Sequence, residues 1–396
     1  VTNSITKEII MTSNKIKDII TSNSILVADK VNKLNKKNKK VISLHIGEPD
    51  FDTPTDIITH TIQALNNNQT KYSSVPGLLD LRSKIAKSLS KENFNNISYK
   101  NIIISNGAKQ SIYNIFQVIC NPGDEVIFPA PFWVSFPESI KLAGAKPVIV
   151  PSKPNFQLDL EQIKNSITPK TKAILINSPN NPTGVVYKPE DLKELASIAQ
   201  KNDLFIISDE AYEFLTYDNI VNTPIAKIAP QYSDKIITIR TFSKKYCMTG
   251  FRIGFMIASE KITADSTKFQ GHVTGNNCLF SQFGALAALE IDNNIINEMK
   301  LEFQNRRDLA YNLFSQIFEC EKPDGAFYLF PKVDNYFNNE IKNSLDLAGF
   351  ILEKANVALL PGSAFGMENY LRISFANSTK NIEQAFINIK QVLNTK

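Results

Sequence analysis

TKAILINSPNNPTGVVYKPEDLKELASIAQKNDLFIISDEAY, residues 171–212, is the stretch on which the reading of the fold turns. It contains two apolar runs, AILIN (173–177) and LFIIS (204–208). Both are short, β-branched and apolar at successive positions, as strands buried on both faces of a parallel sheet are. Between them Leu192, Leu195, Ala196 and Ala199 recur at helical spacing. Strand, helix, strand in that order predicts a crossover unit and a parallel sheet. Each run leads directly into reactive side chains. AILIN enters the proline-stiffened turn SPNNPTG (178–184), which contains Asn181, and LFIIS enters Asp209-Glu210-Ala211-Tyr212.

The same pattern extends outward. NIIIS (101–105), EVIFP (125–129), PVIV (147–150), KIITIR (235–240) and IGFMI (253–257) read as further buried strands. Ile112, Ile115, Phe116 and Ile119 mark another helix face. The expectation is an α/β doubly wound layer with a mostly parallel sheet. From about residue 280 the pattern changes to helices over 281–318, a hairpin-like DGAFYLFP (324–331), a helix at 344–355, a strand pair at 357–360 and 370–375, and a last helix at 379–393. That order predicts a smaller α+β domain. Residues 12–40 read as one polar, Lys-rich helical stretch, and VISLHI (41–46) as a short strand. The expected division is an N-terminal segment, 1–46, packing with the small domain, a large domain at 47–280 and a small C-terminal domain at 281–396.

Composition excludes several classes. The 396 residues are 43% hydrophobic and 21% charged, ordinary values for a globular chain. A net charge of +5 from 44 basic and 39 acidic residues is too small at this length to indicate nucleic acid. The run LNKKNKK (34–40) reads as a solvated helix face and turn rather than an anion site. No apolar stretch is long enough for a membrane span, and the first 20 residues lack a signal-peptide core, so a cytoplasmic home is expected. Four cysteines and three histidines lie scattered, without metal-site spacing. Only six of the 44 basic residues are Arg. In a chain this rich in Lys, Arg marks sites that need a planar, two-pronged donor.

In open α/β sheets ligands bind beyond the carboxyl ends of the strands. NIIIS leads into Asn106-Gly107-Ala108-Lys109 and a helix, a setting for a phosphate. EVIFP leads toward Trp133, the only tryptophan, and KIITIR into Thr241-Phe242-Ser243-Lys244-Lys245. One sheet edge thus collects an anion nest, an aromatic plate, an amide, a carboxylate, a phenol and a lysine. These are the needs of pyridoxal 5'-phosphate: a lysine for a Schiff base, a carboxylate against the ring nitrogen, donors to the ring oxygen, a stacking ring and an anion site. A nicotinamide enzyme would require G-x-G-x-x-G, and a nucleotide hydrolase a P-loop; the sequence has neither.

GEPDFDTP (47–54), Y-x4-G-x3-L-R (72–82), NSPNNPTG (177–184), SDEAY (208–212), S-K-x7-R-x-G (243–254) and RISFA (372–376) together resemble the class I/II aminotransferases, bacterial-type aspartate branch. The motifs run in the family's order over roughly residues 15–393. The resemblance implies the fold type I of pyridoxal-phosphate-dependent transferases, with a seven-stranded sheet in the large domain. It implies Lys244 as the Schiff-base lysine, because the reactive lysine directly follows Ser and precedes the phosphate-binding Arg252 by eight residues; Lys245 is its confounder. Asp209 matches the ring-nitrogen carboxylate, and Tyr212 and Asn181 the donors to the ring oxygen. Ser243, Arg252 and the backbone of Gly107, Ala108 and Lys109 match the phosphate cup, and Trp133 the stacking ring. Tyr72 matches a residue that in relatives reaches the neighbouring subunit's phosphate, implying a homodimer with shared sites. Arg372 matches the clamp on the substrate α-carboxylate, and Gly47 a backbone that lets substrate approach closely. Phe327 is expected to wall the pocket.

The implied reaction passes the amino group of an amino acid to a 2-oxo acid, with Lys244, once displaced from the cofactor, acting as general base at the substrate Cα. The leading substrates are L-aspartate and 2-oxoglutarate. Lys109 either meets their distal carboxylate or is a phosphate-side or solvent lysine. Prephenate is not expected as a strong substrate, since the basic residue its users carry falls near Ile20 here. The rival readings are an aromatic or broad-specificity aminotransferase, a C–S β-lyase and a cofactor-sensing regulatory module. The last is disfavoured by the short segment ahead of Gly47.

Overall fold

The computed structural model describes residues 13–21, 23–36 and 39–394. The N-terminal readings on residues 1–12, and the Lys37-Asn38 centre of the basic run, lie outside the described residues. Twelve strands follow in chain order: β1 (Ile42–Ser43), β2 (Ile102–Ser105), β3 (Glu125–Pro129), β4 (Lys146–Val150), β5 (Thr171–Asn177), β6 (Phe205–Asp209), β7 (Ile236–Thr241), β8 (Gly254–Ile257), β9 (Tyr328–Leu329), β10 (Val357–Ala358), β11 (Leu360–Pro361) and β12 (Leu371–Ser374).

Seven of them form one sheet in the order β2-β8-β7-β6-β5-β3-β4. All neighbours are parallel except β8, which runs antiparallel to both β2 and β7. The expected mostly parallel sheet is present, and its inner strands are buried along their length. β4 departs from the expectation of a strand buried on both sides. It pairs only with β3, at one edge of the sheet, and leaves Ile149 50% exposed, whereas β2 at the other edge is buried throughout. Helices Ala108–Ile119 and Pro189–Lys201 pack their apolar stripes on the sheet, placing Ile112, Ile115 and Phe116, and Leu192, Leu195 and Ala199, in its two cores.

Two small sheets complete the structure. β1 runs parallel to β10, and β11-β12-β9 is antiparallel. Of the expected strand VISLHI only Ile42 and Ser43 pair. DGAFYLFP is not a hairpin. It turns at Ala326, φ +55°, and continues into β9, whose partner is β12, with Leu329 opposite Ile373. The expected strand pair is realised as β11 against β12, while β10 takes β1 instead. The helical stretch expected at 12–40 is two helices, Asn14–Lys17 and Asn23–Asn35. The helices expected at 281–318 are Leu279–Ala288 and Asn293–Phe314, separated where Asp292 caps the second by accepting from the Asn294 amide at 2.9 Å.

A third core joins the C-terminal elements to β1 and to the chain after β6: Leu44, Tyr212, Leu215, Phe303, Phe327, Tyr328 and Ile373 pack in one cluster. Val31 of the N-terminal helix packs on Leu352 and Ala358. Among the described residues no helix is long and apolar enough to cross a membrane. Leu175, fully buried at the centre of β5, tests the main core. Leu175→Ala is expected to cost about 2–5 kcal/mol, read as a lower urea midpoint; an unchanged midpoint would contradict its placement.

Candidate active site

A cavity of about 410 Å³ opens where β5, β6 and β7 end. Eleven of the thirteen residues singled out from the sequence line it: Gly47, Ala108, Lys109, Trp133, Asn181, Asp209, Tyr212, Ser243, Lys244, Arg252 and Arg372. Gly107 stands just behind the wall as N-cap of the helix starting at Ala108, with φ +81°. A Cβ there would come within 2.8 Å of Arg252 Nη2. Tyr72 is apart from the group, 99% exposed on the surface of the single chain.

Local structure explains each placement. The β6–β7 ladder ends at Asp209, whose Oδ1 accepts from the Ala211 amide at 3.1 Å and turns the chain toward Tyr212. Thr241 ends β7 and caps the short helix Phe242–Lys245 by accepting from the Ser243 amide at 3.1 Å, which sets Ser243 and Lys244 at the cavity. After β5, Asn180 Oδ1 accepts from the Thr183 amide and hydroxyl, holding the turn that carries Asn181. β12 brings Arg372 in from the other sheet. It donates from Nη1 to Asn181 Oδ1 at 3.0 Å and from Nη2 to the His45 carbonyl at 2.7 Å.

The electrostatics favour anions. Lys109, Lys244, Arg252 and Arg372 face only two lining carboxylates, Glu48 and Asp209. Arg372 is buried, no carboxylate among the described residues pairs with it, and its Nε has no hydrogen-bond partner. Burial lowers its basicity. A buried guanidinium without a countercharge among the described residues makes this end of the cavity favourable for an anion. Burial brings Lys244 down to about 8, with Arg372 and Arg252 adding to the effect and Glu48 and Asp209 opposing it. Its Nζ donates to the Gly47 carbonyl. Burial pushes Asp209 up to about 7 against the Ala211 hydrogen bond and the Lys244 charge. Lys109 lies 5.1 Å from the centre of the Trp133 ring and is made less basic by burial and by Arg252. Gly47 is fitted to its place: a Cβ would come within 2.8 Å of the Tyr328 hydroxyl.

Nine wall residues were not singled out from the sequence, Tyr328, His45 and Asn177 among them. Tyr328, rather than Phe327, faces the cavity. Its hydroxyl meets that of Tyr212 at 2.7 Å and its ring centre lies 4.3 Å from the Arg372 guanidinium. Phe327 is not in the wall; it stacks on Phe303, 5.5 Å between centres, and its ring centre lies 5.8 Å from Lys244 Nζ. His45 is buried and held neutral, lowered to about 4 by burial and by Arg372. Asn177 was visible only as the first residue of NSPNNPTG. Ile20 is not in the wall; it is exposed, its amide donating to Glu138 at 3.0 Å.

Residues 39–388 match the family model described as aminotransferase class I and II. The chain belongs to that family. A probable aspartate/prephenate aminotransferase of Rickettsia felis is 41% identical over 96% of this chain and 95% of its own. The aspartate aminotransferase of Bacillus subtilis is 39% identical over 96% and 98%. The crystal structure of the Thermotoga maritima aspartate aminotransferase superposes with a TM-score of 0.91 at 38% identity, covering 97% of this chain and all of that one. The seven-stranded sheet is thus that of the fold type I transferases, and the chain is a transaminase.

The cavity of this aminotransferase carries a pH signature. Asp209 titrates near 7 when folded and near 3.8 when free, so the folded chain binds the extra proton between about pH 4 and pH 7. Its contribution to stability therefore falls as pH rises through that window. In cofactor-free protein, Asp209→Asn is expected to match wild type near pH 4 and to exceed it at pH 8 in urea midpoint. A variant less stable than wild type at pH 8 would refute the buried, neutral carboxyl.

Proposed function

We propose that this aminotransferase moves the amino group of L-aspartate to 2-oxoglutarate, giving oxaloacetate and L-glutamate, with pyridoxal 5'-phosphate as cofactor. The observation that carries the reading is one cavity holding a lysine of reduced basicity, a buried carboxyl and an unpaired buried Arg. The residues fit the cofactor. Asp209 would face its ring nitrogen, Tyr212 and Asn181 its ring oxygen, and Trp133 the ring. Ser243, Arg252 and the 107–109 backbone would take the phosphate, the close approach of Gly107 to Arg252 leaving room for nothing larger than glycine.

The bound cofactor supplies an electron sink for the pair left when the substrate Cα–H bond breaks. The rest is the work of this chain. Lys244 Nζ, near 8, has a neutral fraction at physiological pH and can accept the Cα proton and return it. Asp209, ionised opposite a cation, keeps a proton on the ring nitrogen. Arg372 orients the α-carboxylate with its fork, already aimed by Asn181 and His45. Lys109, on Trp133 at the rim, is read as the partner of the distal carboxylate. Prephenate is read as a poor substrate from the N-terminal sequence count, Ile20 itself lying outside the cavity wall.

The reading extends to a cytoplasmic homodimer in which Tyr72 completes the partner's phosphate site. Ile58, Ile62 and Leu65, exposed by 40%, 50% and 41% along one face of helix Thr55–Asn66, support a second copy there. It also keeps the division into 47–280 as the cofactor domain and 281–396, with 1–46, as the smaller one. The names of the relatives, aspartate and aspartate/prephenate aminotransferase, support the substrate assignment.

Lys244→Ala is expected to abolish the borohydride-fixed adduct with pyridoxal phosphate; an adduct retained in that variant refutes the assignment. Arg372→Lys should cut kcat/KM for aspartate by roughly ten- to hundred-fold, the loss of a charged two-pronged contact. In steady-state assays Lys109→Ala should weaken aspartate more than phenylalanine. Equal losses would remove Lys109 from the distal site. Faster turnover of phenylalanine, tyrosine or kynurenine than of aspartate would replace the substrate reading, and prephenate handled as well as oxaloacetate would overturn its exclusion.

A further inference from the structure

The adjacent lysines of the Ser243-Lys244-Lys245 turn have different surroundings. Lys244 lines the cavity; Lys245 does not. Lys245 borders a small space on the far side of the wall together with Glu92, Glu213, Arg240 and Tyr246. It also borders a neighbouring groove with Asp52, Asp56, Glu298 and Glu302. Carboxylates therefore face it from the end of helix Leu79–Lys91, from the chain after β6, from the loop before helix Thr55–Asn66 and that helix's first turn, and from helix Asn293–Phe314.

The cations behind the wall are unequally committed. Arg240 donates from Nε to Glu210 at 3.0 Å and from Nη1 to Glu92 at 2.8 Å, and Ser208 donates to the other Glu210 oxygen at 3.1 Å. Glu213 has a buried Oε2 without a hydrogen-bond partner. Lys245 is the other cation bordering that space, its Nζ 5.5 Å from the Tyr246 ring centre. Swinging it into the cavity would remove a positive charge that acts on Glu213 alongside Arg240, a costly change in a buried place.

We propose that Lys245 is a positioning residue, an ammonium held behind the cavity wall by Glu213 and the surrounding carboxylates, which anchors the turn and leaves Lys244 as the one amine offered to the cavity. The proposal rests on the reading of Lys244 as the reactive lysine. An ammonium has no lone pair with which to attack a carbonyl, so holding Lys245 charged also keeps it unreactive. The opposite drifts in basicity agree: Lys244 falls to about 8, while Lys245 is raised, with Tyr246, Glu213 and Glu92 outweighing its burial. The turn after β6 divides in the same way: Asp209 and Tyr212 line the cavity, while Glu213 borders the space behind it and Glu210 pairs with Arg240.

Competitive trace acylation of the cofactor-free protein, read lysine by lysine by mass spectrometry across pH, tests this without catalysis. At pH 8 Lys245 is expected to react at least about ten-fold less readily than Lys244. Equal or reversed reactivities overturn the proposal. Glu213→Gln should raise the reactivity of Lys245 and leave that of Lys244 in place; a purely structural Glu213 would move both or neither, and either of those results refutes its role. In the loaded enzyme Lys245→Met should lose about ten-fold in kcat, of which Lys245→Arg recovers most, to within about three-fold of wild type. An Arg variant as impaired as the Met variant counts against a charge-based anchor. If Met prevents folding, the Arg variant and the wild-type labelling still decide. An adduct fixed at Lys245 in wild type sinks this proposal, whereas no adduct at either lysine sinks the cofactor reading and leaves the acylation result to stand by itself.

Discussion

Arg372 donates to Asn181 Oδ1 at 3.0 Å, the Asn181 amide donates to Asn177 Oδ1 at 2.8 Å, and Asn177 Nδ2 donates to the Asp209 carbonyl at 3.0 Å. This relay crosses from β12 in the small sheet to the ends of β5 and β6 in the large one. Every member is buried. In that setting a hydrogen bond left unmade is expensive, so the geometry of the cavity is held by the cost of breaking any link. Asn181 has the pivotal place. Its side chain aims the guanidinium while its backbone is pinned to the strand that precedes Asp209. The separation of Arg372 and Asp209 is thereby set without a covalent tie.

The few arginines carry a disproportionate share of this architecture. Arg82 bonds the Ile102 and Tyr99 carbonyls, Arg240 joins Glu210 and Glu92, and Arg306 joins Asp50 and Glu302. Arg307 joins Asp218 and Asp308, and Arg252 reaches the Thr249 and Asn106 carbonyls. With Arg372, all six donate to at least two different partners. A rigid planar fork can satisfy two acceptors with little further loss of freedom, which a flexible ammonium does less well. The composition of the chain already pointed this way, since Lys was available wherever a single charge would serve. What composition left open was which arginines hold structure and which await a ligand. That distinction appears only with the neighbours in place: Arg240 and Arg307 have carboxylates, Arg372 has none.

The strands of the large sheet were legible because burial on both faces demands uninterrupted β-branched runs, and each of the seven runs is a strand. The misread elements are those whose surroundings are set by the assembled sheet and by residues outside their own run. Ile149 looked buried because its own run is apolar, yet β4 is an edge and no local feature says so. DGAFYLFP looked like a hairpin because Gly and Pro flank its aromatic residues, yet its partner β12 is over 40 residues away. Tyr328 was passed over for Phe327 because the two aromatic residues are neighbours in the sequence, and which of them lines the cavity is decided by what packs across from them.

By itself the sequence determined the sheet, its parallel sense and the chemistry ranked along one edge, because strand burial and strand-end placement are written in local runs. It also singled out Lys244 by spacing, and Asp209 and Arg372 by type. Tertiary structure alone decided the charge states and the company those residues keep: a lysine near 8, a carboxyl near 7, an arginine with no countercharge, and a second lysine behind the wall. Basicity follows from solvent exclusion and the fields of groups distant in the chain, and neither exists until the two sheets close around the cavity.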